Sequence, residues 1–139
     1  MRDTGILVLL IVMLVGVVAL AGCTAQESSN AAGGEAVTLF AQAGTISEQG
    51  NYQQALAIYE QGLQLDPDNV EALNGKGATL RALGRNDEAL AAFTRATEID
   101  PASAPSWMNR GDALERLGRA GEADAAYQKA VDLGSTAQR

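Results

Sequence analysis

Residues Val70–Ser103 read VEALNGKGATLRALGRNDEALAAFTRATEIDPAS. Apolar and small residues recur at helical spacing on either side of Gly84, which predicts two amphipathic helices joined at that glycine. The landmarks of the stretch return 34 positions before and after it. Leu39, Leu73 and Trp107 keep that spacing, as do Gly50, Gly84 and Gly118. So do Ala55, Ala89 and Ala123, and likewise Tyr59, Phe93 and Tyr127. Pro67 and Pro101 close the first two copies. A fixed period of this length marks an array of helix–turn–helix units, none of which can bury its apolar face alone.

Setting the prolines in register divides the chain into residues 36–69, 70–103 and 104–137. Ala43, Gly77 and Gly111, with Ala55, Ala89 and Ala123, are small where the two helices of a unit must approach closely. Tyr59, Phe93 and Tyr127 are expected to fill the space between one unit and the next. Gly50, Gly84 and Gly118 fall where a left-handed residue ends the first helix cheaply. Asn51 is a candidate cap for the second helix of its unit. Asp68 or Asn69, and Ser103, are candidate caps for the helices that follow, with Pro105 suited to a first turn. The first unit is expected to be the weakest. Gly44, Thr45 and Ile46 lie mid-helix, and a glycine there costs about 1 kcal/mol relative to alanine; Gly62 and Gly75 are further glycines of this kind.

These positions resemble the tetratricopeptide repeat (TPR) family, which pairs a large apolar residue with a small one a turn later. An aromatic follows in the second helix, then a proline near the end. Leu39 with Ala43, Leu73 with Gly77 and Trp107 with Gly111 carry the first part of the pattern. Ala55 with Tyr59, Ala89 with Phe93 and Ala123 with Tyr127 carry the second. The resemblance implies an all-α fold: a right-handed superhelical array of three antiparallel helix pairs, an α-solenoid. It also implies that the first helices line an inner, peptide-binding surface. By that correspondence the surface comprises Val37, Phe40, Gly44 and Ser47, then Glu71, Asn74, Ala78 and Arg81, then Pro105, Met108, Asp112 and Glu115. Phe40 and Met108 would offer apolar contact to a bound peptide, and Asn74 and Arg81 hydrogen bonds, with Asp112 on the same face. An ordinary solvated helix face is the alternative. The chain departs from the family in two places: the usual mid-helix leucine is Gln42, Lys76 and Arg110, and Ser135 replaces the last proline. Family members that grip acidic C-terminal tails use a Lys/Asn/Arg clamp. The equivalent residues here are Phe40, Gly44, Gly75, Pro105 and Asn109, so that chemistry is not expected.

Before the array, residues 5–22 are apolar or small throughout and end in Leu20-Ala21-Gly22-Cys23. This resembles the lipobox of prokaryotic lipoproteins, in which the cysteine is lipidated and becomes the first residue of the mature chain. Residues 1–22 are therefore expected to be a signal peptide and Cys23 the lipidation site. An uncleaved transmembrane helix is the alternative, because about 18 apolar residues is the lower limit for a span. Residues 23–35, mostly TAQESSNAAGG, have no bulky apolar side chain to bury and predict a flexible tether. Arg2 inside, and no Lys or Arg from Thr24 to Glu71, places the array outside the cytoplasmic membrane.

Charge and composition narrow the function further. Seven acids fall between Thr24 and Glu71, while nine bases balance nine acids from Ala72 onward, out of a net charge of −7. Neither part offers the concentrated positive charge a phosphate backbone needs, so nucleic acid is not an expected partner. The chain has no histidine and one cysteine, which excludes an internal disulfide and a metal site built on several Cys or His ligands. No cofactor is expected. Catalysis is not expected either: Asp112 and Glu115 form a carboxylate pair one turn apart, but an ion pair with Arg116 accounts for it more simply. The expected role is an envelope-anchored adaptor that binds a protein or peptide. The alternative is a structural module that self-associates through a last repeat whose surface around Tyr127, Ala130 and Val131 is left open.

Overall fold

The computed structural model describes residues 33–136. The apolar run, the lipobox with Cys23 and nearly all of the tether lie outside them. The described residues form six helices and no strand: α1 over residues 33–48, α2 (Tyr52–Leu65), α3 (Val70–Ala82), α4 (Asn86–Ile99), α5 (Ala104–Arg116) and α6 (Ala120–Thr136). Each helix packs on its neighbour in sequence from α2 to α6, and α3 also touches α5 directly.

The helix ends follow from local chemistry. Gly50, Gly84 and Gly118 have φ of 82°, 76° and 73°, the left-handed conformation expected of them. Asn69 caps α3 through its side chain, which accepts from the Ala72 N–H at 2.9 Å. Ser103 caps α5 through the Ser106 N–H, with Pro105 in the first turn. One expected cap is corrected: Asn51 precedes α2 but makes no side-chain cap bond. Of the two candidates before α3, Asn69 is the cap, and Asp68 instead takes Arg95 of α4 as a partner at 2.6 Å.

The core is small-residue rich. Leu56, Leu80, Ala89, Phe93 and Ala113 form its centre, drawing one residue or more from each of α2, α3, α4 and α5. Ala43, Tyr59 and Ala72 form a second cluster at one end, and Leu114, Ala123 and Ala126 a third at the other. The glycines seat the aromatic rings. A Cβ on Gly77 would lie 2.5 Å from the Phe93 ring. Gly111 is as close to Tyr127, Gly75 to Tyr59 and Gly62 to Phe40. Gly62 and Gly75, which look like weak points in sequence, are therefore positions where a side chain cannot fit. Tyr59 and Phe93 reach across units as expected, Tyr59 onto Ala72 and Gly75 and Phe93 into the cluster with Leu56 and Ala113. Phe93 and Tyr127 also press on glycines of their own units. At the far end Ala130 is buried and Tyr127 is turned inward, so of the three residues expected there Val131 alone is well exposed, at 58%.

Candidate binding groove

The first helix of each pair, α1, α3 and α5, contributes the inner face. Polar side chains join α3 to α5 along its length. Asn74 donates to the Ser106 hydroxyl at 2.7 Å and accepts from Asn109 at 3.3 Å. About two turns along α3, Arg81 pairs with Asp112 at 2.8 Å. Between α1 and α3, Ser47 and Thr79 share a hydrogen bond at 3.3 Å.

Asp112 has a second partner. The Tyr127 hydroxyl, reaching in from α6, lies 2.9 Å from both Asp112 and Glu115. Burial raises the Tyr127 pKa well above the ordinary phenol value, and the two carboxylates, as acceptors and as negative charges, raise it further. The carboxylate pair is thus held by a neutral phenol and by Arg81 from the neighbouring unit, rather than by Arg116 as expected from sequence. Tied in this way, it is poorly placed to act as an acid or base.

Towards the other end of the inner face, α1, Tyr59 of α2 and the start of α3 enclose a groove of about 320 Å³. Val37, Phe40, Ala41 and Gly44 line one side, Asn69, Glu71 and Ala72 the other, with Tyr59 at the floor. Gly44 leaves room over the Tyr59 hydroxyl, which is 3.7 Å from where a Cβ would stand. No hydrogen bond from that hydroxyl is made among the described residues, in contrast to Tyr127. Burial raises the Tyr59 pKa, and the Glu71 and Glu48 carboxylates raise it further, so the phenol is a donor at neutral pH.

The five residues expected to contact a peptide separate into two groups. Asn74, Arg81 and Asp112 come together, but with one another and their neighbours, as ties between units. Met108 stands 45% exposed on α5. Phe40 is half-buried across Gly62 and shows one edge to the groove, rather than projecting freely. Ala41, Tyr59, Asn69 and Ala72 line the groove outside the expected set. For Tyr59 a signal existed: the residue one period after Gly44 is Ala78 and the next is Asp112, so only the third unit can bond its tyrosine from that position. Among the described residues no helix is long and apolar enough to cross a membrane.

Two tetratricopeptide repeat profiles match the chain, one over residues 47–108 and the other over residues 80–137. No curated protein sequence matches it. Several solved structures share the fold. The second TPR domain of Spaghetti (RPAP3), bound to the HSP90 peptide SRMEEVD, superposes with a TM-score of 0.73 at 20% identity, covering 77% of this chain and 98% of that one. The Sgt2 TPR domain from Aspergillus fumigatus gives 0.71 at 25% identity, over 73% of this chain and 67% of its own. MamA gives 0.72 at 19% identity, over 75% and 61%.

Proposed function

The chain belongs to the tetratricopeptide repeat family, and from that premise we propose that it is an interaction module that holds an extended segment of a partner protein on its inner face. The observation that carries this reading is the groove beside α1. Val37 is 62% exposed, Phe40 shows an edge, and the Tyr59 hydroxyl makes no hydrogen bond among the described residues, so apolar surface and an open donor line the same groove. Apolar contact with one directional hydrogen bond is how extended segments are commonly held. The HSP90 peptide bound by the Spaghetti domain is not transferred to this chain, because Phe40, Gly44, Gly75, Pro105 and Asn109 offer no cation to a terminal carboxylate. The role is binding without catalysis.

In the same proposal the array is anchored outside the cytoplasmic membrane through lipid on Cys23, as the run 5–22 and the sequence Leu20-Ala21-Gly22-Cys23 suggest. Mass spectrometry of the mature N-terminus tests the anchor: lipid on Cys23 in wild type and none in Cys23→Ser is the expected result, and equal membrane fractionation of the two would refute it. For the groove, crosslinked capture from cells compares wild type with Gly44→Leu, whose new side chain would fill the space over Tyr59. Loss of the captured partner is expected; an unchanged set of partners would place the interaction elsewhere. Self-association through α6 is the second reading, favoured by the exposure of Val131. It predicts multimers in light scattering that dissolve in Val131→Glu.

A further inference from the structure

The groove beside α1 carries a charge opposite to that needed for an acidic tail. Its lining is apolar apart from the Tyr59 hydroxyl, Asn69 and Glu71, and Glu71 is exposed at the rim with no cation paired to it among the described residues. There is no Lys or Arg anywhere in the first unit. The first cation after it, Lys76, is turned to Glu60 on α2 at 3.2 Å and does not line the groove. Arg81, the cation of the inner face within α3, is committed to Asp112. Glu48, at the end of α1, adds its field to that of Glu71 at the Tyr59 oxygen. A partner that brought a carboxylate here would meet two like charges and no compensating base.

We infer that the groove takes a basic, apolar segment of a partner protein: an aliphatic side chain against Val37 and Phe40, a backbone carbonyl accepting from the Tyr59 hydroxyl, and a flanking lysine or arginine facing Glu71. This inference rests on the groove being the binding surface proposed above, and adds the chemistry of what enters it. Like charges placed together disfavour the wrong partner, and opposite charges at an exposed rim favour the right one modestly. One such pair contributes up to about 1 kcal/mol, or about a fivefold preference.

The test is selection of a displayed random nonapeptide library on the full chain held in detergent micelles, run in parallel on Gly44→Leu and Glu71→Lys. Circular dichroism checks that both variants are folded. Peptides retained by wild type and lost on Gly44→Leu occupy the groove. Among them, lysine and arginine next to an aliphatic residue should outnumber aspartate and glutamate about fivefold, and Glu71→Lys should reverse the bias. Groove-dependent peptides with no charge bias, with an acidic bias, or with a bias that Glu71→Lys leaves unchanged would overturn this inference while leaving the groove as a binding site. Absence of any groove-dependent peptide would overturn both.

Discussion

The ring of Phe93 lies where a side chain on Gly77 would have to be: a Cβ there would come within 2.5 Å of Cε1. Phe93 is fully buried at the centre of the core, between Leu56, Leu80 and Ala113, so it has nowhere to withdraw. Gly77→Ala should therefore destabilise the array even though alanine is the better helix former. Overpacking costs about 1–3 kcal/mol, against about 1 kcal/mol returned by helix propensity. Urea denaturation should show a net loss. Gly121, in the first turn of α6 with nothing near its Cβ position, is the control; Gly121→Ala should be neutral or mildly stabilising.

The Arg81–Asp112 pair is half-exposed on both sides, and its contribution is accordingly modest. A double-mutant cycle with Arg81→Ala and Asp112→Ala should give a coupling of about 0.2–1 kcal/mol, shrinking at high salt as surface pairs do. A coupling several times larger would mean that the pair is far better shielded from water than its exposure indicates.

Tyr127 sets an alkaline limit. Its folded-state pKa lies above the unfolded value of about 10, because burial and two carboxylates oppose the phenolate. The folded state thus holds the proton more tightly. The resulting stability is fully present below pH ~10 and is lost as pH rises from there through the folded pKa. Stability measured from pH 8 upward should fall less steeply in Tyr127→Phe than in wild type. Ultraviolet titration should show one late phenol fewer in that variant.

The two asparagines that precede helices should behave differently. Asn69→Ala removes the bond to the Ala72 N–H and should cost about 1 kcal/mol. Asn51→Ala removes no cap bond and should cost much less. Thermal melts of the two variants are sufficient to separate them.

How far the sequence reaches is visible in these same residues. The helix pairs and the left-handed glycines were legible because they are periodic: a feature forced on each unit by the backbone must appear every 34 residues. Contacts between units escape such a reading. Asn74 meets Ser106, and Arg81 meets Asp112, only once the pitch of the array brings α3 and α5 side by side. The role of Gly62 and Gly75 is hidden from sequence for the same reason. In one dimension a glycine in a helix is a loss, and only the packed structure places the rings of Phe40 and Tyr59 over them. The groove combines both kinds of information. Gly44 and Glu71 stand on the expected face, but Tyr59 belongs to a second helix, where the period predicts packing between units rather than a groove-lining hydroxyl.

One difference between the repeats sets how their first helices meet along the inner face. Where α3 and α5 are joined by Asn74 and Ser106, the corresponding residues of α1 and α3 are Phe40 and Ala72, which meet through apolar packing. The second and third units are consequently latched at both ends of their shared face, by Asn74–Ser106 and by Arg81–Asp112. The first and second units are latched by Ser47–Thr79 at the end away from the groove. Beside the groove the facing positions of α1 and α3 are thus apolar, and its lining there is set by the shapes of Phe40 and Ala72 rather than by polar ties between the helices.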